Sequence, residues 1–215
     1  MSISQSTIIG ADSRPRCRWA KPGLDEHYHD NEWAGRAGKP DAEGRWGIRD
    51  DRDLFELICL EGAQAGLSWS TILAKRQGYR MLFHNFDIAR VAKMTAKDVD
   101  RIVLDTSIVR HRGKIESVIG NAKVAMTVQA EHGSLSAYLW SLAPMAAAQK
   151  SKGKLTRTRP ATMADIATTT PESDAMSKAL KKLGFKFVGS TICYAFMQAT
   201  GMADDHLAGC WCSKR

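Results

Sequence analysis

The stretch SDAMSKALKKLGFKFVGSTICYAFMQATG, residues 173–201, decides the fold. Met176, Leu180 and Leu183 recur three or four positions apart, the period that lines one face of a helix. STICYAFMQAT continues as a second apolar-periodic helix, and Gly184-Phe-Lys-Phe-Val-Gly189 joins the two through a turn that its glycines allow to be tight. Ser173 is the expected N-cap, with Gly184 and Gly201 as the expected helix stops.

The same period extends outward along the chain. DRDLFELICL carries it at Leu54, Leu57 and Ile58, and RGKIESVIGNAKVAM at Ile115, Val118, Ile119, Ala122 and Met126. Thr95 with Asp98 forms a box-like start for TAKDVDRIVL. No alternating strand pattern competes, so the expected class is all-α. Two segments read as loops: the glycine-rich 34–47, and 149–162 with its five basic residues, a solvated linker or a phosphate-contacting loop.

A chain of 215 residues with 44% hydrophobic content supports one large domain or two intimate lobes with a real core. Lysine and arginine number 31 against 23 acidic residues, a net charge of +8 that favours a polyanionic partner only weakly. No signal-like start and no run of membrane-spanning length is present, so a soluble, cytoplasmic protein is expected. Five irregularly spaced cysteines make no disulfide framework. Cys59 and Cys193 fall inside apolar helical patterns and read as buried and inert, which leaves Cys17, Cys210 and Cys212 to explain.

Three features carry chemistry. The C-terminal DDHLAGCWC spaces His206 and Cys210 so that both can reach one metal ion. With Cys17 and His29 from the other end they would complete a closed Cys2His2 site of structural type, with His27 and Cys212 as possible substitutes. Cys-Trp-Cys has one intervening residue where redox motifs have two. Second, Glu61 stands seven positions after Leu54 and three after Ile58, which puts a carboxylate on an apolar helix face unless the helix ends there and frees it to solvent. Third, the 184–189 turn is a helix-hairpin-helix pattern. The amides opening its second helix can hold a phosphate, and Lys178, Lys181, Lys182 and Lys186 add positive charge. Arg110, His111, Arg112 and Lys114 read as an exposed basic helix start that extends this face if the two are adjacent.

Taken in order, RCRWA, YHDNEW, LFELICLEGAQAGLSW, IVRHRGKI, the 173–201 stretch and DDHLAGC resemble the bacterial 3-methyladenine DNA glycosylase I family of the helix-hairpin-helix superfamily. The resemblance implies an all-α, two-lobed domain over 17–212, a flexible extension over 1–16 and a tail at 213–215. It implies a monomer that flips a damaged nucleotide from alkylated double-stranded DNA and hydrolyses its glycosidic bond, releasing 3-methyladenine without strand cleavage. It also implies one structural zinc on Cys17, His29, His206 and Cys210, a pocket of Glu61, Tyr28 and Trp69 with Glu61 catalytic, a wedge at Gly66 and Leu67, and DNA backbone contacts at Gly184, Lys186 and Gly189. Asp25 stands where relatives can carry a second pocket tyrosine, and 34–47 looks longer than the family connection. Asp204 lies near where other superfamily members place a catalytic aspartate, and here reads as a loop hydrogen-bonding residue. The competing readings are a zinc-stabilised DNA-binding module without activity and, more remotely, a nucleobase deaminase, whose His-x-Glu and Pro-Cys-x-x-Cys signatures are missing.

Overall fold

The computed structural model describes residues 6–40, 46–143 and 159–214, and within them helices dominate. These are α1 Leu24–Asn31, α2 Asp51–Gln64, α3 Trp69–Leu82, α4 Ile88–Ala92, α5 Ala96–Ile102, α6 Arg112–His132, α7 Leu135–Ser141, α8 Pro171–Leu183 and α9 Ser190–Thr200. Two short antiparallel pairs depart from the all-α expectation. β1 Thr7–Ile9 pairs with β2 Pro15–Cys17, and β3 Lys39–Pro40 with β4 Trp46–Gly47. Strands of two or three residues are too short to display an alternation that sequence reading can detect.

The first pair also corrects the reading of residues 1–16 as a flexible extension. From Thr7 the chain is paired, and Arg16 is 2% exposed, held by Asp12 at 2.7 Å and Asp30 at 2.6 Å. The glycine-rich segment likewise contains β3 and β4, while its residues 41–45 lie outside the described residues. Of the basic loop, 149–158 lie outside them too; Arg159 pairs with Asp204 at 2.8 Å. At the C-terminus, Trp211–Lys214 form a 3-10 turn, and Ser213 donates to the Cys210 carbonyl at 2.6 Å, so the expected tail is still part of the fold at Ser213.

Helix ends follow local chemistry. Asp50 caps α2 by accepting from the amides of Arg52 and Asp53, and the Thr95–Asp98 box caps α5 as expected. α8 starts earlier than its sequence reading. Thr170 is the N-cap, Pro171 fills the first helical turn where no amide is needed, and Ser173 sits at the third position, completing the box. Gly184 and Gly201 close α8 and α9 in the left-handed region.

α2 is the central helix. Every residue from Leu54 to Ala63 is buried, and α9, α6, α3 and α7 pack around it. Its first residue, Asp51, accepts from Gln129 and from the amides of Leu135 and Ser136, tying α6 and the start of α7 to it. Midway along, buried Glu56 takes Arg76 and Arg80 of α3, and Arg76 reaches Glu32 beyond α1 at 2.5 Å. Two buried or half-buried carboxylates sharing two guanidiniums satisfy one another, and they lock α1 against α3. Cys59 and Cys193 are buried in this core, as expected.

Candidate active site

Glu61 does not escape to solvent, because α2 runs on to Gln64. Its side chain lies 3% exposed behind Leu54 and Ile58, and burial lifts its carboxyl to about 8. Tyr28, from α1, is 3% exposed, and burial together with Glu61 keeps its phenol protonated. Trp69 opens α3, its ring centroid 5.3 Å from that of Tyr28 at a 54° tilt. These three predicted residues meet around one cavity of about 220 Å3.

The remaining walls are Trp19, Trp33 and Gln64, with Ala195 and Gln198 from α9. Trp19 and Trp33 contact edge to face at 5.0 Å, and Trp19 lies 6.4 Å from Tyr28. Sequence reading quoted RCRWA and YHDNEW without giving Trp19 or Trp33 a role. Ala195 and Gln198 are three positions apart on one helix face, a signal that means nothing until α9 is known to border the cavity. The Trp69 indole N–H is buried and has no partner among the described residues. Asp25 accepts from Ser70 at 2.8 Å, so it links α1 to α3 in place of an aromatic wall.

Beyond Gln64 the chain makes a type II turn. Ala65 has φ −43° and ψ 114°, Gly66 has φ 79°, and the Leu67 amide donates to the Gln64 carbonyl at 2.6 Å. The third position of such a turn needs positive φ, which is the reason for glycine at 66. The turn presents Leu67, 41% exposed, beside the cavity wall. Lys114 holds it from behind: buried at 8% exposure, its ammonium donates to the carbonyls of Ala63 at 2.8 Å and Ala65 at 2.7 Å. This corrects the exposed-basic reading for Lys114, while Arg110, His111 and Arg112 are exposed as expected. Lys114 serves the turn, Arg112 pairs with Asp100 at 2.6 Å, and His111 caps α6.

The 184–189 turn is held by Asn121 of α6, which accepts from the Lys186 amide at 2.8 Å and donates to its carbonyl at 3.1 Å. Lys178, Lys181, Lys182 and Lys186 are exposed, and Gly189 is the N-cap of α9.

At the chain ends His29, His206, Cys210 and Cys212 are buried, with ligating atoms within 4.8 Å of one another. Three belong to the predicted metal set, and Cys212 joins them. Cys17 lies beside the group: it is buried and accepts from the amide of Leu207, next to His206, at 3.4 Å. His27 stands apart, its ring 3.3 Å from the Asn31 amide. The donor chemistry fits a metal ion. Asp30 accepts from His29 Nδ1 at 2.8 Å and Asp204 from His206 Nδ1 at 2.7 Å, which leaves each Nε2 with a lone pair. His206 Nε2 is buried without a partner, and His29 Nε2 is 3.4 Å from the Cys210 sulfur. Asp204 is thereby occupied by His206 and Arg159, in line with a loop hydrogen-bonding role.

Residues 19–213 match the methyladenine glycosylase family. The chain is 46% identical to DNA-3-methyladenine glycosylase 1 of Escherichia coli (strain K12) over 92% of its length and 96% of the relative's, and 42% identical to the Haemophilus influenzae DNA-3-methyladenine glycosylase over 92% and 97%. A crystal structure of 3-methyladenine DNA glycosylase I superposes with a TM-score of 0.78 at 46% identity, covering 92% of this chain and 98% of that one. The Staphylococcus aureus 3-methyladenine DNA glycosylase I, studied for its recognition of 3-methyladenine, gives 0.76 at 34% identity over 91% and 94%.

Proposed function

The chain belongs to the methyladenine glycosylase family, and from that premise we propose that it is a DNA repair N-glycosylase that releases 3-methyladenine from alkylated double-stranded DNA. The observation that supports this reading best is a buried carboxyl, Glu61, facing a cavity walled by aromatic rings. Methylation at N3 makes the purine cationic and weakens its glycosidic bond. The faces of Tyr28 and Trp69 attract such a cation, and Glu61, buried at the cavity wall, in its carboxylate form accepts its hydrogens and balances its charge. Neutral adenine gains less from both.

Flipping costs a few kcal/mol of stacking and pairing, offset by contacts in the cavity and by Gly66 and Leu67 filling the gap left in the duplex. Exposed Leu67 on its rigid turn is suited to that insertion. The amides around Gly184 and Gly189, with Lys186, grip the phosphate backbone as a helix-hairpin-helix element. The glycosidic bond then breaks toward an oxocarbenium-like sugar, with Glu61 as the catalytic group that stabilises the developing charge, and water completes hydrolysis. Among the described residues the cavity walls include no lysine that would form a covalent imine with the sugar, which supports a monofunctional enzyme that leaves the strand uncut.

The same reading includes one structural zinc on Cys17, His29, His206 and Cys210, in a single domain over 17–212 that acts as a monomer. When bound, the ion supplies a cross-link between the chain ends. The decisive assay measures free 3-methyladenine released from methylated duplex DNA under single-turnover conditions. Wild type is expected to release it, and Glu61→Ala to be slowed by about 100-fold or more. DNA binding with no base release would leave only a binding module, and a Glu61→Ala rate equal to wild type would remove Glu61 from the chemistry.

A further inference from the structure

Gln198 closes the α9 side of the cavity, one turn beyond Ala195. Its amide cannot choose its orientation. Nε2 donates to Asp205 Oδ2 at 2.8 Å, Asp205 is 1% exposed, and the same oxygen receives the Tyr194 hydroxyl at 2.5 Å. A carboxylate only accepts, so the nitrogen branch must face Asp205 and the oxygen branch, Oε1, is the one left for a ligand.

We propose that Gln198 is a specificity-determining residue that reads the base through Oε1, and that Asp205 is the positioning residue that keeps its amide from flipping. The inference rests on the cavity being the base pocket described above. An adenine-type base carries an exocyclic amino group, a donor, where a guanine-type base carries a carbonyl oxygen, an acceptor. Oε1 pairs with the first and opposes the second, acceptor against acceptor, and a hydrogen-bonding site rejects a mismatched group far more strongly than an apolar one does. Beside Glu61, the Gln198 amide supplies an acceptor that never titrates.

The test is the ratio of 3-methyladenine to 3-methylguanine released in single turnovers from duplex DNA carrying both lesions. Gln198→Met keeps the side-chain length without the acceptor, and the ratio is expected to fall by about tenfold or more. Asp205→Asn frees the amide to turn and is expected to lower the ratio in the same direction, with metal content and Tm checked because His206 is adjacent. Equal slowing on both bases with an unchanged ratio in folded Gln198→Met overturns the role of Gln198. A fall in Gln198→Met alone overturns only the positioning by Asp205. Wild-type protein that releases neither base overturns the glycosylase reading itself.

Discussion

At the scale of the residue, Glu61 is a titratable group kept in an environment that opposes its charge. Its carboxyl rises from an ordinary 4.5 to about 8, and desolvation is the cause. Between those two values the folded protein holds a proton that the unfolded chain has released, so stability falls as pH rises through this window. Glu61→Gln, which never ionises, removes that slope. Calorimetry should show a Tm gain on the order of 5 °C at pH 8 and close to none at pH 4. Activity moves the other way: only the ionised carboxyl balances the cationic base, so wild-type kcat/KM for base release should climb with pH, reach half its maximum near 8 and level off above it, and Glu61→Gln should show no such climb. The apolar spacing around Glu61 was legible in the sequence; its burial depended on α2 continuing for another turn, beyond Gly62, which a glycine in the pattern obscured.

At the scale of the element, the C-terminus of α2 and the turn after it form one unit with the start of α6. Carbonyls at a helix end lack intrahelical partners, and Lys114 satisfies two of them with a positive charge placed at the negative end of the helix dipole. Lys114→Met strips both hydrogen bonds and should cost about 2 kcal/mol in denaturant unfolding. It should also slow base release from DNA by at least about tenfold, while binding of free 3-methyladenine, followed by tryptophan fluorescence, stays at the wild-type level. Loss of free-base binding as well would show a collapsed pocket in place of a misplaced turn. In sequence Lys114 looked like one more member of a basic cluster. Only its separation of 49 residues from Ala65, closed in space, reveals what it serves.

At the scale of the whole molecule, the chain ends meet. β2, α1 and the segment after α9 converge on the cysteine and histidine group, and Trp211 packs there with Arg14 and Arg36 over its ring at 4.5 and 5.0 Å. A cross-link at this place closes a loop of nearly the full chain, which restricts the unfolded state strongly. Metal analysis of Cys17→Ser should show loss of zinc and a Tm lower by on the order of 10 °C, with Cys212→Ser retaining one zinc per chain; the reverse pattern would make Cys212 the fourth ligand. Among the described residues no helix is long and apolar enough to cross a membrane. The sequence by itself determined the principal helices around Leu54, Ile115, Leu180 and Cys193, the glycine stops at Gly184 and Gly201, the apolar spacing around Glu61 and the residues able to bind metal, because all of these follow from local spacing and side-chain chemistry. It could not supply Trp19, Trp33 and Gln198 as cavity walls, the hairpin at Thr7–Cys17, the duty of Lys114, or the choice of Cys212 over His27 among the substitute metal donors. Each of those depends on which surfaces face each other once helices pack around α2, and sequence spacing holds no record of contacts made between segments more than a few turns apart.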